Sequence, residues 1–234
     1  MKKISLISLT TIALLVLSVV SCQDDRERIT DGHENGHEYI DLGLSVKWAT
    51  CNVGATKPEE YGDYYAWGET KLKTIYDWST YKWCNGSYDT HTKYNTSSSY
   101  GTVDNKTNLD KEDDVAHVQW GGSWRMPTKA EQDDLRNNCT WTWYSSGNTE
   151  FNGIAGYKVI SNKSGYTDRF IFLPAAGYRY DTNLIGVGDI GYYWSSSLSS
   201  VNPFRAWYID FNSSKVSADY RSRSYGRSVR PVCP

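Results

Sequence analysis

The chain has 234 residues, with 25 Lys and Arg against 27 Asp and Glu and a formal net charge of −2. That balance gives no electrostatic case for nucleic acid or for an anionic membrane surface as a partner. Ten Trp and 19 Tyr stand beside 5 Phe and 2 Met, and with 19 Gly and few long helical patterns they point to many short strands and ordered loops.

In chain order, residues 1–21 read as a secretion signal: Lys2 and Lys3 give a positive start, Ile4 to Val20 an apolar stretch, and "LSVVSC" a run of small residues. A signal that runs directly into Cys resembles the lipobox of bacterial lipoproteins, which makes Cys22 the expected lipid attachment site, with palmitate among its acyl chains. The other reading is a plain signal peptide followed by a chance Cys. No later apolar run approaches the ~18 residues needed to span a bilayer, so membrane contact is expected through the lipid anchor alone. Residues 22–36 are polar and charged and read as a flexible acidic tether. "QDDRE" beside Cys22 resembles the export tag of Bacteroidota lipoproteins, which implies an outer-membrane location facing the cell exterior.

Residues 37–234 are expected to form a single domain with a full core, since no linker-like stretch divides them. "EYIDLGLSVKWATCNVGA" reads as a short hairpin or bent strand around Gly43, and 71–108 as a long polar surface excursion. "LDKEDDVAHVQWG" offers a short helix with Asp110 as a possible N-cap. "WRMPTKAEQDDLRNN" is a clearer start: Thr128 with Glu131 three residues on is a capping box, and Ala130, Leu135 and Met126 supply an inward face. Strands then follow at "GYKVISN", "DRFIFLPAAGYRY", "GYYWSSS", "AWYIDFN" and "SVRPVCP". Two early helices before a strand-rich half predict an α+β domain.

"YIDLGLSVKWATCNVGA", "EEYGDYYAWGE", "GGSWRMPT", "FLPAAGYRY", "GYYWSSS" and "GRSVRPV" together resemble the Fibrobacter succinogenes major paralogous domain family, abundant in lipoproteins of gut Bacteroidota. The resemblance runs from Tyr39 to Val232. It implies a C-type-lectin-like fold: two helices flanking a small twisted antiparallel sheet, chain ends close together, and long ordered loops presenting a ligand face. That architecture is shared with formylglycine-generating enzymes and with variable proteins diversified by retroelements.

The candidate chemistry is sparse. A lectin-type calcium site would need about six to eight oxygen ligands, and the sugar-binding motifs of calcium-dependent lectins are missing, so no metal is expected. The remaining cysteines, Cys51, Cys84, Cys139 and Cys233, lack zinc-type pairing, and an exported chain permits disulfides, so at least one disulfide is expected among them. His33, His37, His91 and His117 form no triad with a nucleophile, and no cofactor or catalytic residue is assigned. Trp48, Trp67, Trp120, Trp124 and Trp194 read as core and loop packing, and Arg125 and Arg230 as donors to loop carbonyls.

The end of the chain is different. From Tyr192 to Tyr225 there are ten Ser, five Tyr, Trp194, Trp207 and the run "DYRSR". Tyr and Trp give contact area for few frozen torsions, Ser and Asn give adaptable hydrogen bonds, and Arg gives charged anchors, as in a paratope. Alternation from Trp207 to Phe211 puts Ile209 and Phe211 inward and Tyr208 and Asp210 outward. Val216, Val229 and Val232 are further core candidates. The expected ligand face is therefore Tyr208, Asp210, Asp219, Tyr220, Arg221, Arg223 and Tyr225. The function this supports is a surface binding module for a protein or glycan, rather than an enzyme. A passive structural or assembly role is the alternative, and an enzyme of the formylglycine-generating type comes third.

Overall fold

The computed structural model describes residues 30–234. The signal segment, Cys22 and most of the acidic tether lie outside them, and none of the described helices is long and apolar enough to cross a membrane.

Twelve short strands form four antiparallel sheets. β1 (Gly32–Glu34), β2 (His37–Ile40) and β3 (Lys47–Ala49) are joined by the last strand, β12 (Val232–Cys233), in the order β1-β2-β3-β12. β4 (Cys139–Tyr144), β5 (Gly156–Ser161) and β6 (Phe170–Pro174) make a second sheet, and β7 (Tyr178–Tyr180) with β8 (Asn183–Ile185) a small hairpin. The longest strands, β9 (Ile190–Leu198), β10 (Arg205–Asn212) and β11 (Lys215–Ser222), pair in the order β11-β10-β9. Two helices, α1 (Val115–Trp120) and α2 (Lys129–Asn138), precede β4.

This corrects the expected fold class. The protein is mostly β, about 35% strand and 11% helix, and not an α+β, C-type-lectin-like arrangement of two helices flanking one sheet. The reason lies in helix length. α1 has six residues, ended by Gly121 at φ 67, and α2 has ten, so the helices are a minor part of a chain built mostly of strands, although α2 packs on β9 and β10 through Leu135 and Gln132.

Local rules account for the helix starts. Thr128 accepts from the Glu131 N–H while Glu131 accepts from the Thr128 N–H at 2.8 Å, the reciprocal capping box. Glu131 also receives both Arg125 guanidinium nitrogens, at 2.7 and 2.5 Å, so Arg125 is chiefly an ion-pair partner and gives only one bond to a carbonyl, that of Met126. The inward face of α2 is Gln132 and Leu135; Ala130 is exposed. Asp110 precedes only a three-residue 3₁₀ turn and makes no side-chain cap bond, whereas Asp114 caps α1 by accepting from Ala116 and His117.

Three apolar clusters fill the interior. Ile209, Phe211 and Val232 sit in the first with Trp48, Leu135 and Val159; Val216 packs half-buried against it. Val229, Trp67, Trp124 and Trp194 belong to the second, and Tyr64, Tyr76 and Tyr81 to the third. The predicted surface excursion thus contributes core: Tyr76, Tyr81, His91 and Tyr94 are all buried. The cysteines are divided among these clusters, Cys139 in the first, Cys233 in the second and Cys84 against the third. All four, Cys51 included, are free thiols, so the expected disulfide is absent among the described residues. Burial pushes the Cys139 thiol up to about 12, which keeps it protonated and inert.

Two arginines of the C-terminal segment are wholly internal. Arg230 donates to Asn52 Oδ1 at 2.8 Å and to the carbonyls of Ala49, Thr50 and Phe172. Arg223 donates to Tyr81 Oη at 3.0 Å and to the carbonyls of Tyr94, Pro203 and Lys93.

Thr128→Ala should lower stability by about 1 kcal/mol, read as a shifted urea midpoint; an unshifted midpoint would mean that the cap contributes nothing. A second expectation concerns His91, whose Nδ1 lies 3.3 Å from the Trp83 carbonyl. Burial, and then the Arg223 charge, push its imidazole down from 6.5 to about 3. The unfolded chain therefore takes up a proton near pH 6.5 that the folded protein refuses until about pH 3, so stability rises with pH through that window and is lost on acidification. In His91→Phe the fall in urea midpoint between pH 6.5 and 4 should be shallower than in the wild type. Equal slopes would contradict the assignment.

Candidate ligand-binding site

The β9–β10–β11 sheet has one inward and one outward face, and its register decides which side chains share each. Tyr208 pairs with Asp219 and Trp194, and Asp210 with Ser217 and Tyr192. Alternation then puts Ile209 and Phe211 into the first core, where Phe211 stacks on Tyr193 at 5.8 Å. Gly191 is obligatory on this inner side, because a Cβ there would overlap the Phe211 ring.

The outer side borders an open trough of about 950 Å³. Five of the seven predicted residues line it: Tyr208, Asp210, Asp219, Arg221 and Tyr225. Asp210 Oδ1 accepts from Ser217 Oγ at 2.9 Å, and Asp219 Oδ2 accepts from Tyr208 Oη at 3.3 Å. Arg221 stands 3.7 Å from Asp219, both well exposed, an ion pair of little net stabilising value. Burial raises the Tyr208 hydroxyl to about 12, so it is a neutral donor at any physiological pH.

Tyr208 belongs only partly to the predicted face. It is 2% exposed, its ring is part of the second core, and its edge meets Tyr192 and Trp194. Two other predictions are corrected. Tyr220 points to the opposite side of β11, edge-on to Trp207 at 4.9 Å, because odd and even residues of a strand face opposite ways. Arg223 is fully buried and each of its three nitrogens donates inside the protein, so it anchors loops rather than facing a ligand.

Other trough residues were outside the predicted face. Tyr178 comes from β7 and stacks near Tyr225 at 5.9 Å; Trp78, Tyr88 and Phe204 form an aromatic rim from the loops. Arg227 is 2% exposed and lines the bottom. Its guanidinium carbon lies 3.7 Å from the Tyr208 ring centre, 4.2 Å from Trp194 and 5.0 Å from Tyr192. Nε and Nη1 have no hydrogen-bond partner. Burial lowers its pKa to about 10, which still leaves it charged at neutral pH. The tyrosine-rich "GYRY" and the Arg of "GRSV" were the available signals, but only the register brings them together.

One carboxylate cluster, Asp110, Glu112 and Asp113, has the spacing of a cation site. Lys93 already occupies it, with its ammonium 2.6 Å from both Asp110 and Asp113, so the charge is neutralised from within.

A domain of unknown function (DUF8237) matches residues 147–232, under half of the chain, a stretch that contains β5 to β11 and Arg227. Comparison with curated proteins and with solved structures gave no match. The chain is thus similar, over its trough-bearing C-terminal part, to a domain of unknown function.

Proposed function

We propose that this chain is a surface-exposed lipoprotein binding module that presents the outer face of the β9–β11 sheet to a protein or glycan. The observation that carries the reading is the open trough, where Tyr, Asp, Ser and Arg side chains gather on a sheet whose other face is packed core. Open, aromatic-walled and hydrogen-bonding surfaces of this kind suit recognition, since large rigid rings give contact at small entropic cost. The resemblance to lipoproteins of the Fibrobacter succinogenes major paralogous domain family supports anchoring through Cys22 at the outer membrane, facing outward. The alternation on β10 would also let outward positions vary without loss of the core, as a retroelement-diversified segment requires. A passive structural role would leave the trough without a ligand.

A screen against host and bacterial surface proteins and glycans tests this. The triple variant Asp219→Ala, Arg221→Ala, Tyr225→Ala should lose binding while its stability moves by under ~0.5 kcal/mol per exposed site. Phe211→Ala should cost about 3–5 kcal/mol and lose binding only by unfolding. Full affinity in the triple variant would end the reading. The anchor is tested separately: palmitate labelling should be present in the wild type and absent from Cys22→Ala, and an unlabelled wild type would refute it.

A further inference from the structure

Three arginines of the C-terminal segment are buried, and their donors are treated differently. Arg223 and Arg230 each make four hydrogen bonds to protein acceptors. Arg227, equally buried, has Nε and Nη1 unpartnered and no carboxylate within ion-pair distance among the described residues. Aromatic faces hold its charge but leave those donors unused. A buried guanidinium with two of its three nitrogens unpartnered is costly, and this one is at the bottom of the trough rather than in a closed core.

The trough's composition narrows what could complete it. Four cationic side chains, Arg205, Lys215, Arg221 and Arg227, face two carboxylates, Asp210 and Asp219, in a chain whose net charge is −2. Both carboxylates already accept bonds from within the sheet. Ile190 is the single aliphatic side chain of the lining, so its apolar surface is almost all aromatic ring. Rings together with Asp, Asn and Ser acceptors and donors instead match the flat faces and hydroxyls of a sugar.

Resting on the binding-module reading, we infer that the trough takes an acidic saccharide, a uronic or sialic acid, whose carboxylate pairs with Arg227. The carboxylate would meet the planar guanidinium along its Nε edge, in a two-bond fork through Nε and Nη2 that lysine cannot reproduce. The saccharide's hydroxyls then meet Asp210, Asp219 and Ser217, and its ring faces the tyrosines.

The test uses the full-length chain in detergent, titrated by calorimetry with trigalacturonate, its methyl ester, 3′-sialyllactose and lactose. At least one acid should bind about tenfold or more tightly than its neutral counterpart, with the ratio shrinking as salt is raised. Arg227→Lys should reduce that ratio severalfold. The acid-to-ester comparison is made on the wild type, so it stands even if an Arg227 variant fails to fold. Equal affinity for acid and neutral forms would overturn the carboxylate pairing. Binding of a protein from the screen but of none of these sugars would overturn the saccharide class and leave the binding module standing. Absence of any ligand in both assays would sink the binding-module reading itself.

Discussion

Buried arginine donors bonded to backbone carbonyls are what the rest of this protein depends on. Between β3 and α1 the chain has only isolated bridges and short turns, so its carbonyls must find donors outside regular secondary structure. Arg230 gathers the carbonyls of Ala49 at the end of β3, Thr50 just after it and Phe172 in β6, and Arg223 gathers those of Lys93, Tyr94 and Pro203 in loops, which ties segments distant in sequence to the end of the chain. Each charge is tolerated in the interior because every nitrogen of the guanidinium has an acceptor; removal of either would strand several acceptors at once.

These ties explain how so irregular a domain can carry a defined surface trough. The rim residues Trp78, Tyr88 and Phe204 come from loops that would otherwise be free to move, yet they border the same trough as β9–β11. Arg223 bonds on one side to Tyr81 and on the other to Pro203, next to Phe204, so rim and sheet are referenced to one internal point. Arg223 fixes the loops from behind and Asp219 and Arg221 stand in front, whereas Tyr208 and Arg227 belong both to the interior and to the trough.

The sequence was most legible where periodicity met burial on one side. The alternation of β10 and the capping box of α2 are both visible in the residues, because each rests on neighbours two or three positions apart. β11 is the edge strand of its sheet and half-exposed on both faces, so "KVSADYRS" carries no clear alternation. Arg223 and Arg221 are two residues apart and chemically the same, yet one is sealed and the other solvated; the difference is made by loops more than 100 positions away. The fold class failed for a similar reason. Helix starts are local, but the minor share that six and ten helical residues take in a chain built mostly of strands is not.

The N-terminal hairpin has a mechanical consequence. β1 pairs only with β2, from Gly32 opposite Tyr39 to Glu34 opposite His37, so its open end is where the chain enters the domain. Traction applied at that entry would load the rungs one after another, like a zipper, instead of shearing them together. The peeling would stop at the hairpin tip, where Trp124 Nε1 grips the Glu34 carbonyl at 2.6 Å and the Ser123 N–H holds its side chain. The entry itself is held by Asp31, which pairs with Arg169 at 3.0 Å, and because the trough is on another sheet, peeling of β1 past that clasp would leave its lining undisturbed.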